Sequence, residues 1–289
     1  MYHNIEELLT LAEERQVPLY KIILENEMLL SEKSEEEIYK GLEERYRVMK
    51  TSANKALSKP QETVGNLITG LSHKHSEYSN TENTLCGNYL NKVMAFALSC
   101  SEVNAAMGKI CAAPTAGSCG ILPAVILGVS EKFRLERKET LDGILTASGL
   151  GAIIMKNATV SGAEGGCQAE CGAAAAIAAA AAVEMRKGTP RMAVNACSLA
   201  LINVMGLVCD PVAGLVQMPC AQRNASQAVN ALLSADLALG GMVCPVPADE
   251  VVEAMYRIGK QLPSELKETA LGGLAATPTA KKLEYEIFH

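Results

Sequence analysis

The sequence has few aromatic residues and little positive charge, and both shortages exclude classes of protein. It contains no tryptophan, and aromatic residues make up only 4% of its 289 residues. A surface that stacks the bases of single-stranded nucleic acid is therefore not expected. The formal net charge of -6 also argues against a nucleic-acid partner, because proteins that bind nucleic acid usually carry a basic footprint.

The sequence also lacks a hydrophobic run that is long enough to cross a membrane. Its alanine-rich run lies between Glu170 and Glu184 and is shorter than the roughly 20 apolar residues that a membrane helix needs. The N-terminal stretch 1–16 is acidic and amphipathic, without the basic and apolar regions of a signal peptide. We therefore expect a cytoplasmic protein that has no membrane partner.

Strand patterns are missing too, because no segment alternates apolar and polar residues over the length of a strand. Asn4 with Glu7, and Ser34 with Glu37, have the spacing of capping boxes ahead of amphipathic helices. Helical periodicity predicts further helices over 89–107, 121–133, 140–156, 168–186, 192–208, 224–238 and 248–260. The polar stretch 71–88 is predicted to be a loop, and the tail after residue 270 shows no periodicity.

These patterns predict an all-α fold with two parts. Residues 1–60 are charge-rich and form an N-terminal helical segment, which is a candidate docking surface. Residues 61–289 form an Ala/Gly-rich multi-helix domain, in which small side chains let neighbouring helices approach closely. We place the chemistry of the protein in this second part.

Ten cysteines are many for such a chain, and without a secretory signal we expect them to be reduced. No C-x2-C pair occurs, so the patterns of ferredoxins and zinc ribbons are absent. Cys167, Cys209 and Cys220 each lie where a helical pattern breaks, and thiolates bind both iron–sulfur clusters and zinc. Cys171 is either a fourth ligand or a small core residue, and we prefer the core. The other cysteines are predicted to be core residues: Cys86, Cys100, Cys111, Cys119, Cys197 and Cys244.

The stretch "APTAGSCGILP" places Thr115, Ala116, Gly117 and Ser118 ahead of an apolar helix. Free backbone N–H groups at a helix N-terminus bind anions, including carboxylates. An ordinary helix–loop–helix turn is the alternative interpretation. His73 and His75 lie in the predicted polar loop, where either is a candidate general base or an ordinary surface residue.

Four long motifs of this sequence resemble the α subunit of bacterial iron–sulfur L-serine dehydratases (L-serine ammonia-lyases). They are "APTAGSCGILPAV", "NATVSGAEGGCQAECG", "GLVCDPVAGLVQMPCAQRNA" and "ETALGGLAATPT", which occur in the family's order across residues 60–280. The resemblance implies deamination of L-serine to pyruvate and ammonia, without pyridoxal phosphate. It also implies a [4Fe–4S] cluster held by three cysteines, which fall on Cys167, Cys209 and Cys220. We expect Thr115 to Ser118 to bind the substrate carboxylate.

The sequence departs from that family in two respects. Single-chain members carry a Ser-Ser-Ser-His-Thr motif in an N-terminal region, and some end in a cysteine, whereas this sequence lacks the motif and ends in Phe288-His289. We therefore expect a separate β subunit to supply the missing segment, and the catalytic base stays unknown. The alternatives are a related iron–sulfur lyase acting on cysteine or threonine, and a non-catalytic iron–sulfur sensor or scaffold.

Overall fold

A computed structural model describes all residues from Met1 to His289, and its regular structure is helical throughout. The only β-type pairing is an isolated bridge between Cys209 and Lys267, so the all-α prediction is confirmed. None of the helices combines the length and the apolar character that a membrane crossing requires. Thirteen α-helices follow one another: α1 (Ile5–Glu14), α2 (Leu19–Ser31), α3 (Glu35–Ser58), α4 (Leu71–Ser79), α5 (Gly87–Ala105), α6 (Ile121–Phe133), α7 (Arg137–Asn157), α8 (Gly162–Gly165), α9 (Ala173–Met185), α10 (Pro190–Ile202), α11 (Cys220–Leu239), α12 (Ala248–Gln261) and α13 (Pro278–Phe288).

Both N-terminal caps that the sequence predicts are present. The Asn4 side chain accepts a hydrogen bond from the Glu7 backbone N–H at 2.8 Å. Ser34 and Glu37 exchange the two hydrogen bonds of a capping box at the start of α3. Each cap satisfies backbone donors that have no partner inside the helix, so α1 and α3 begin where the sequence predicts.

A distant carboxylate fixes the first helix to the rest of the protein. The Asp249 side chain, at the start of α12, accepts hydrogen bonds from the backbone N–H groups of Ile5 and Glu6, both at 2.9 Å. A negative charge at a helix N-terminus is also favoured by the helix dipole. The N-terminal segment is therefore attached to a helix almost 250 positions later in the chain.

The alanine-rich helix α9 lies at the centre of the molecule. Twelve of its thirteen residues are buried, and α6, α7, α10 and α11 pack around it. Because most of these side chains are single methyl groups, the surrounding helices approach the α9 backbone closely. One buried cluster of 64 residues includes α9 and also side chains of α1, α2 and α3, so the hydrophobic core crosses the predicted boundary at residue 60. That boundary stays a prediction.

Two predictions about secondary structure are wrong. Residues 71–79 of the predicted polar loop form α4, which packs against α5, and the tail forms α13. Thr277 caps α13, and Pro278 occupies its first position, as is common at helix starts. Helix α4 has few apolar residues of its own, and both helices are short, so contacts with the rest of the protein stabilise them.

Two further predictions need smaller corrections. Helix α10 ends at Ile202, short of the predicted end at residue 208, and the turn that follows includes Gly206 with φ +85°. Cys86 was predicted to be a core residue but is exposed, and Cys111 and Cys244 are only partly buried. Cys100, Cys119 and Cys197 are buried, as predicted.

Candidate functional site

The segment that carries Cys167 turns sharply before it enters the central helix. Gly166 has φ +75°, a left-handed conformation that favours glycine, and a Cβ there would lie 2.8 Å from the Leu207 carbonyl oxygen. Gln168–Gly172 then forms a π-helical turn ahead of α9, where the sequence predicts ordinary helix. Such turns are frequent at functional sites, and this one directs the side chains that follow Gly166.

Gln168 fixes this turn relative to its neighbours. Its Nε2 donates to the carbonyl oxygens of Gly165 (2.9 Å) and Met255 (3.2 Å). Its Oε1 accepts a hydrogen bond from the Gly206 backbone N–H at 2.8 Å. The side chain is fully buried, so these three bonds hold the backbone beside Cys167 in one place.

The buried Cys167 thiol has two neighbours that favour its thiolate. A hydrogen bond from the Cys171 thiol is the larger influence and lowers the pKa of Cys167, and the positive charge of Arg223 lowers it further. Arg223 is held in place by hydrogen bonds to the Val208 carbonyl oxygen (2.8 Å) and to the Asp210 carboxylate (2.9 Å). Cys171 is itself buried, as the prediction of a core residue requires.

Cys209 and Cys220 come from two other segments of the chain. The Cys209 backbone bonds on both sides to the 266–268 segment, at 2.9 Å each, and Cys220 is the first residue of α11. Burial is the main cause that raises the pKa of both thiols, to about 12 for Cys220. The negative charges of Cys167 and Glu170 raise both values further.

The negative charge of Glu170 acts on all three predicted cysteines, and Gly162 lies against both Glu170 and Cys209. No group of three or more His, Cys, Asp or Glu side chains is already arranged to hold a metal ion, so the ligand roles stay a prediction. The donor chemistry fits an iron–sulfur cluster, because such clusters are held by thiolates and a bound cation deprotonates buried thiols. A cationic group would also offset the repulsion among these buried negative charges.

Glu170 lies between the cysteines and the loop of Thr115. Its Oε1 accepts a hydrogen bond from the Thr115 hydroxyl at 2.9 Å, and the Gly162 backbone N–H donates to the same carboxylate. A Cβ on Gly162 would lie 2.6 Å from Glu170 Oε2 and 3.2 Å from Cys209 Sγ. A Cβ on Gly117 would lie 3.3 Å from Oε1. Because both residues are glycine, their backbone segments approach this carboxylate closely. Burial is the main cause that raises the pKa of Glu170.

Asn224 fixes the loop of residues 115–118, which is predicted to bind a carboxylate, through two hydrogen bonds. The Asn224 Nδ2 donates to the Gly117 carbonyl oxygen at 2.7 Å, and its Oδ1 accepts from the Gly120 N–H at 2.8 Å. Three consecutive backbone N–H groups, those of Ala116, Gly117 and Ser118, donate no hydrogen bond within the chain. Consecutive free N–H groups of this kind form anion-binding concavities in proteins. Binding of a carboxylate by this loop therefore stays a prediction.

The two histidines proposed as candidate bases do not join this site. Both lie on α4 rather than in a loop. The His73 Nδ1 lies 2.7 Å from the Leu57 carbonyl oxygen, while the His75 Nε2 is buried without a partner and burial lowers the pKa of His75. Neither ring shares a hydrogen bond with the cysteines, Glu170 or the Thr115 loop, so the catalytic base stays unassigned.

One cavity of the protein lies away from this site. It measures about 760 Å³ and is lined by residues of α1, α2, α7 and α9, including Glu13, Asp142 and Glu184. None of the three cysteines and no residue of the Thr115 loop lines it. The candidate site is therefore identified by the chemistry of its side chains and not by this cavity.

Three residues of the site were not singled out in the sequence: Glu170, Arg223 and Asn224. Each is a polar residue inside an otherwise small or apolar motif, and this contrast is the sequence feature that could have identified it as a site residue. Their partners lie 107, 55 or 13 positions away in the chain, so spacing along the sequence does not reveal them.

Comparison with known proteins gives a consistent result. Residues 14–275 match the family model described as serine dehydratase alpha chain. The chain is 49% identical over 287 residues to the L-serine dehydratase alpha chain of Peptoniphilus asaccharolyticus, covering 99% of this chain and 98% of that protein. It is 43% identical over 288 residues to the probable L-serine dehydratase alpha chain of Bacillus subtilis (strain 168), covering 100% and 96%.

A third relative is longer than this chain. The L-serine dehydratase TdcG of Escherichia coli (strain K12) is 36% identical over 282 residues, which cover 95% of this chain but 61% of that protein. The family model spans most of the chain, and the similarity to the two alpha chains extends over nearly their whole length. The chain therefore belongs to the serine dehydratase alpha chain family.

Proposed function

We propose that this chain is the α subunit of an iron–sulfur L-serine dehydratase, which converts L-serine into pyruvate and ammonia. The proposal is supported by Glu170, whose charge acts on Cys167, Cys209 and Cys220 and which bonds to Thr115, in a loop that has three free backbone N–H groups. The names of its relatives support the substrate. All ten cysteines are free, which supports a reducing, cytoplasmic location.

In this proposal Cys167, Cys209 and Cys220 hold a [4Fe–4S] cluster, and pyridoxal phosphate is not needed. With three protein ligands, such a cluster leaves one iron as a Lewis acid for the substrate hydroxyl, which is otherwise a poor leaving group. Arg223 and Cys171 stabilise the Cys167 thiolate. Cys171 remains a supporting core residue rather than a ligand.

The chain's other residues bind and orient the substrate. The free N–H groups of Ala116, Gly117 and Ser118 bind the serine carboxylate, and the hydroxyls of Thr115 and Ser118, 3.2 Å apart, brace that loop. Removal of the α-proton needs a base within hydrogen-bond reach. Neither His73 nor His75 is connected to the site, so we propose that a β subunit supplies the base.

The direct test is anaerobic co-purification of this chain with its β subunit, followed by counts of iron and sulfide and assays for pyruvate and ammonia. We expect about four irons and four sulfides per α chain, with pyruvate and ammonia formed from L-serine in equal amounts. Faster turnover of L-cysteine or L-threonine would establish the related lyase instead. A full cluster without turnover of any of the three amino acids would indicate a sensor or scaffold.

Single cysteine variants test the ligand assignment. Replacing Cys167, Cys209 or Cys220 with serine should remove most of the iron and abolish pyruvate formation, because each change removes one thiolate ligand. Cys86→Ser is the matched control, since Cys86 is exposed, and it should keep both iron and activity. If any of the three variants retained a full complement of iron, that residue would not be a ligand.

A further inference from the structure

We propose that Glu170 recognises the α-ammonium group of the substrate and so makes the site specific for α-amino acids. The inference rests on the function proposed above and deepens it by naming the residue that selects the substrate class. It depends on three features of Glu170: the acceptor positions of its carboxylate that the chain leaves unfilled, the absence of a cationic partner in the chain, and its position beside the loop proposed to bind the substrate carboxylate.

The carboxylate of Glu170 is partly buried and only partly satisfied. It accepts two hydrogen bonds, from the Thr115 hydroxyl at 2.9 Å and from the Gly162 backbone N–H. An ionised carboxylate offers about four acceptor positions, so some of its hydrogen-bonding capacity is unused within the chain. Gly117 and Gly162 border the group without side chains, so the backbone of the anion-binding loop lies directly beside the carboxylate.

No cation of the chain pairs with Glu170. The guanidinium of Arg223 bonds to Asp210 and to the Cys167 thiol and not to Glu170. Glu268 is a second carboxylate whose negative charge acts on Glu170. Buried charges in proteins are normally paired, and here the missing positive charge is one that the substrate carries as its ammonium group.

The position of Glu170 matches the geometry of an α-amino acid. In such a molecule the carboxylate and the ammonium group are attached to the same carbon atom, so their binding sites must be immediate neighbours. Gly117 provides one of the free N–H groups of the anion-binding loop, and its Cβ position lies 3.3 Å from Glu170 Oε1. A hydroxy acid would place a hydroxyl where the ammonium belongs and would lose the ionic contact.

The test uses the α–β holoenzyme with Glu170→Gln, and it compares L-serine with L-glycerate as a competitive inhibitor. Glutamine keeps the size and an oxygen that accepts the Thr115 hydrogen bond. The KM for L-serine should rise about 10- to 100-fold, as expected for loss of a charge-assisted contact. The inhibition constant for L-glycerate, which has a hydroxyl in place of the ammonium, should change less than about twofold, since it has no ionic contact to lose.

Glu164→Gln is the matched control, because Glu164 is an exposed carboxylate in the same motif, and it should leave both constants unchanged. Equal weakening of L-serine and L-glycerate, or an unchanged KM, would overturn the proposal. Loss of iron in Glu170→Gln would also overturn it and assign the carboxylate to the cluster. If the wild-type holoenzyme formed no pyruvate, the proposed function would fail, and calorimetric binding of the two ligands would still test Glu170.

Discussion

Glu184 shows how a single buried charge is tolerated in the central helix. It is the only charged residue of α9, and its carboxylate accepts hydrogen bonds from the Thr146 hydroxyl at 3.2 Å and from the backbone N–H groups of Leu19 and Tyr20. It thereby satisfies donors in the first turn of α2. Burial outweighs these bonds and raises the pKa of Glu184 from 4.5 to about 7.

This raised pKa makes the stability of the protein depend on pH in a defined direction. A carboxyl with a higher pKa in the folded state contributes stability that is complete below pH 4.5 and is lost as pH rises through about 7. Glu184→Gln removes this dependence and keeps an acceptor oxygen. Relative to the wild type, the variant should therefore gain about 1–3 kcal/mol in free energy of unfolding between pH 5 and pH 8.

Urea unfolding at the two pH values measures this gain. Glu14→Gln is the control, because Glu14 is exposed on α1, and its effect should be the same at both pH values. A constant difference between Glu184→Gln and the wild type would show that Glu184 titrates normally in the folded protein.

At the scale of the helices, the space around two glycines shows how closely neighbouring helices pack. Gly120 precedes α6, and a Cβ there would overlap the Ala97 carbonyl oxygen of α5, which is backbone and moves little. Gly151 lies within α7, where the nearest atom to an added Cβ is Ile177 Cδ1 at an ordinary 3.6 Å. The same substitution should therefore have opposite effects at the two positions.

Gly120→Ala should destabilise the protein by about 3 kcal/mol through overpacking, whereas Gly151→Ala should stabilise it by up to about 1 kcal/mol through helix propensity. Thermal unfolding of both variants beside the wild type measures the two effects. A Gly120→Ala variant as stable as the wild type would mean that the contact between α5 and α6 is looser than the structure indicates.

Local signals made several helices predictable. The caps at Asn4 and Ser34, with apolar periodicity behind them, locate α1 and α3, and α6 begins and ends at the predicted residues. Helix α4 was missed because its own sequence is polar. Helix α13 was missed although Ala280, Leu283 and Ile287 follow helical spacing, because this apolar stripe is short; it packs on the 212–213 turn. The π-helical turn at Gln168 was missed because the hydrogen bonds that hold Gln168, to Leu207, Gly206 and Met255, are also non-local.

At the scale of the whole molecule, the candidate site joins segments that are far apart in the chain. The cysteines were recognisable because each lies at a break in a helical pattern, and the family resemblance assigned their role. Glu170 was not predictable in this way, since its role depends on Thr115, 55 positions away. Sequence periodicity reports which side of a helix is buried, but it does not report which helices converge.

No histidine of the chain lies at the candidate site. The four histidines are His3 and His289 near the ends and His73 and His75 on α4, and none is bonded to the site. General acid–base catalysis contributes roughly 10²- to 10⁴-fold to a rate. We therefore expect the cluster-loaded α chain alone to bind L-serine but to turn it over slowly.

Ammonia release by the anaerobically prepared α chain, measured before and after the β subunit is added, tests this account most directly. Iron and sulfide must first be shown to be equal in the two samples, so that only the partner differs. The account predicts little ammonia from the α chain alone and an increase of about 100-fold or more with the β subunit. Full activity of the isolated, cluster-loaded α chain would contradict it and would place the base within this chain.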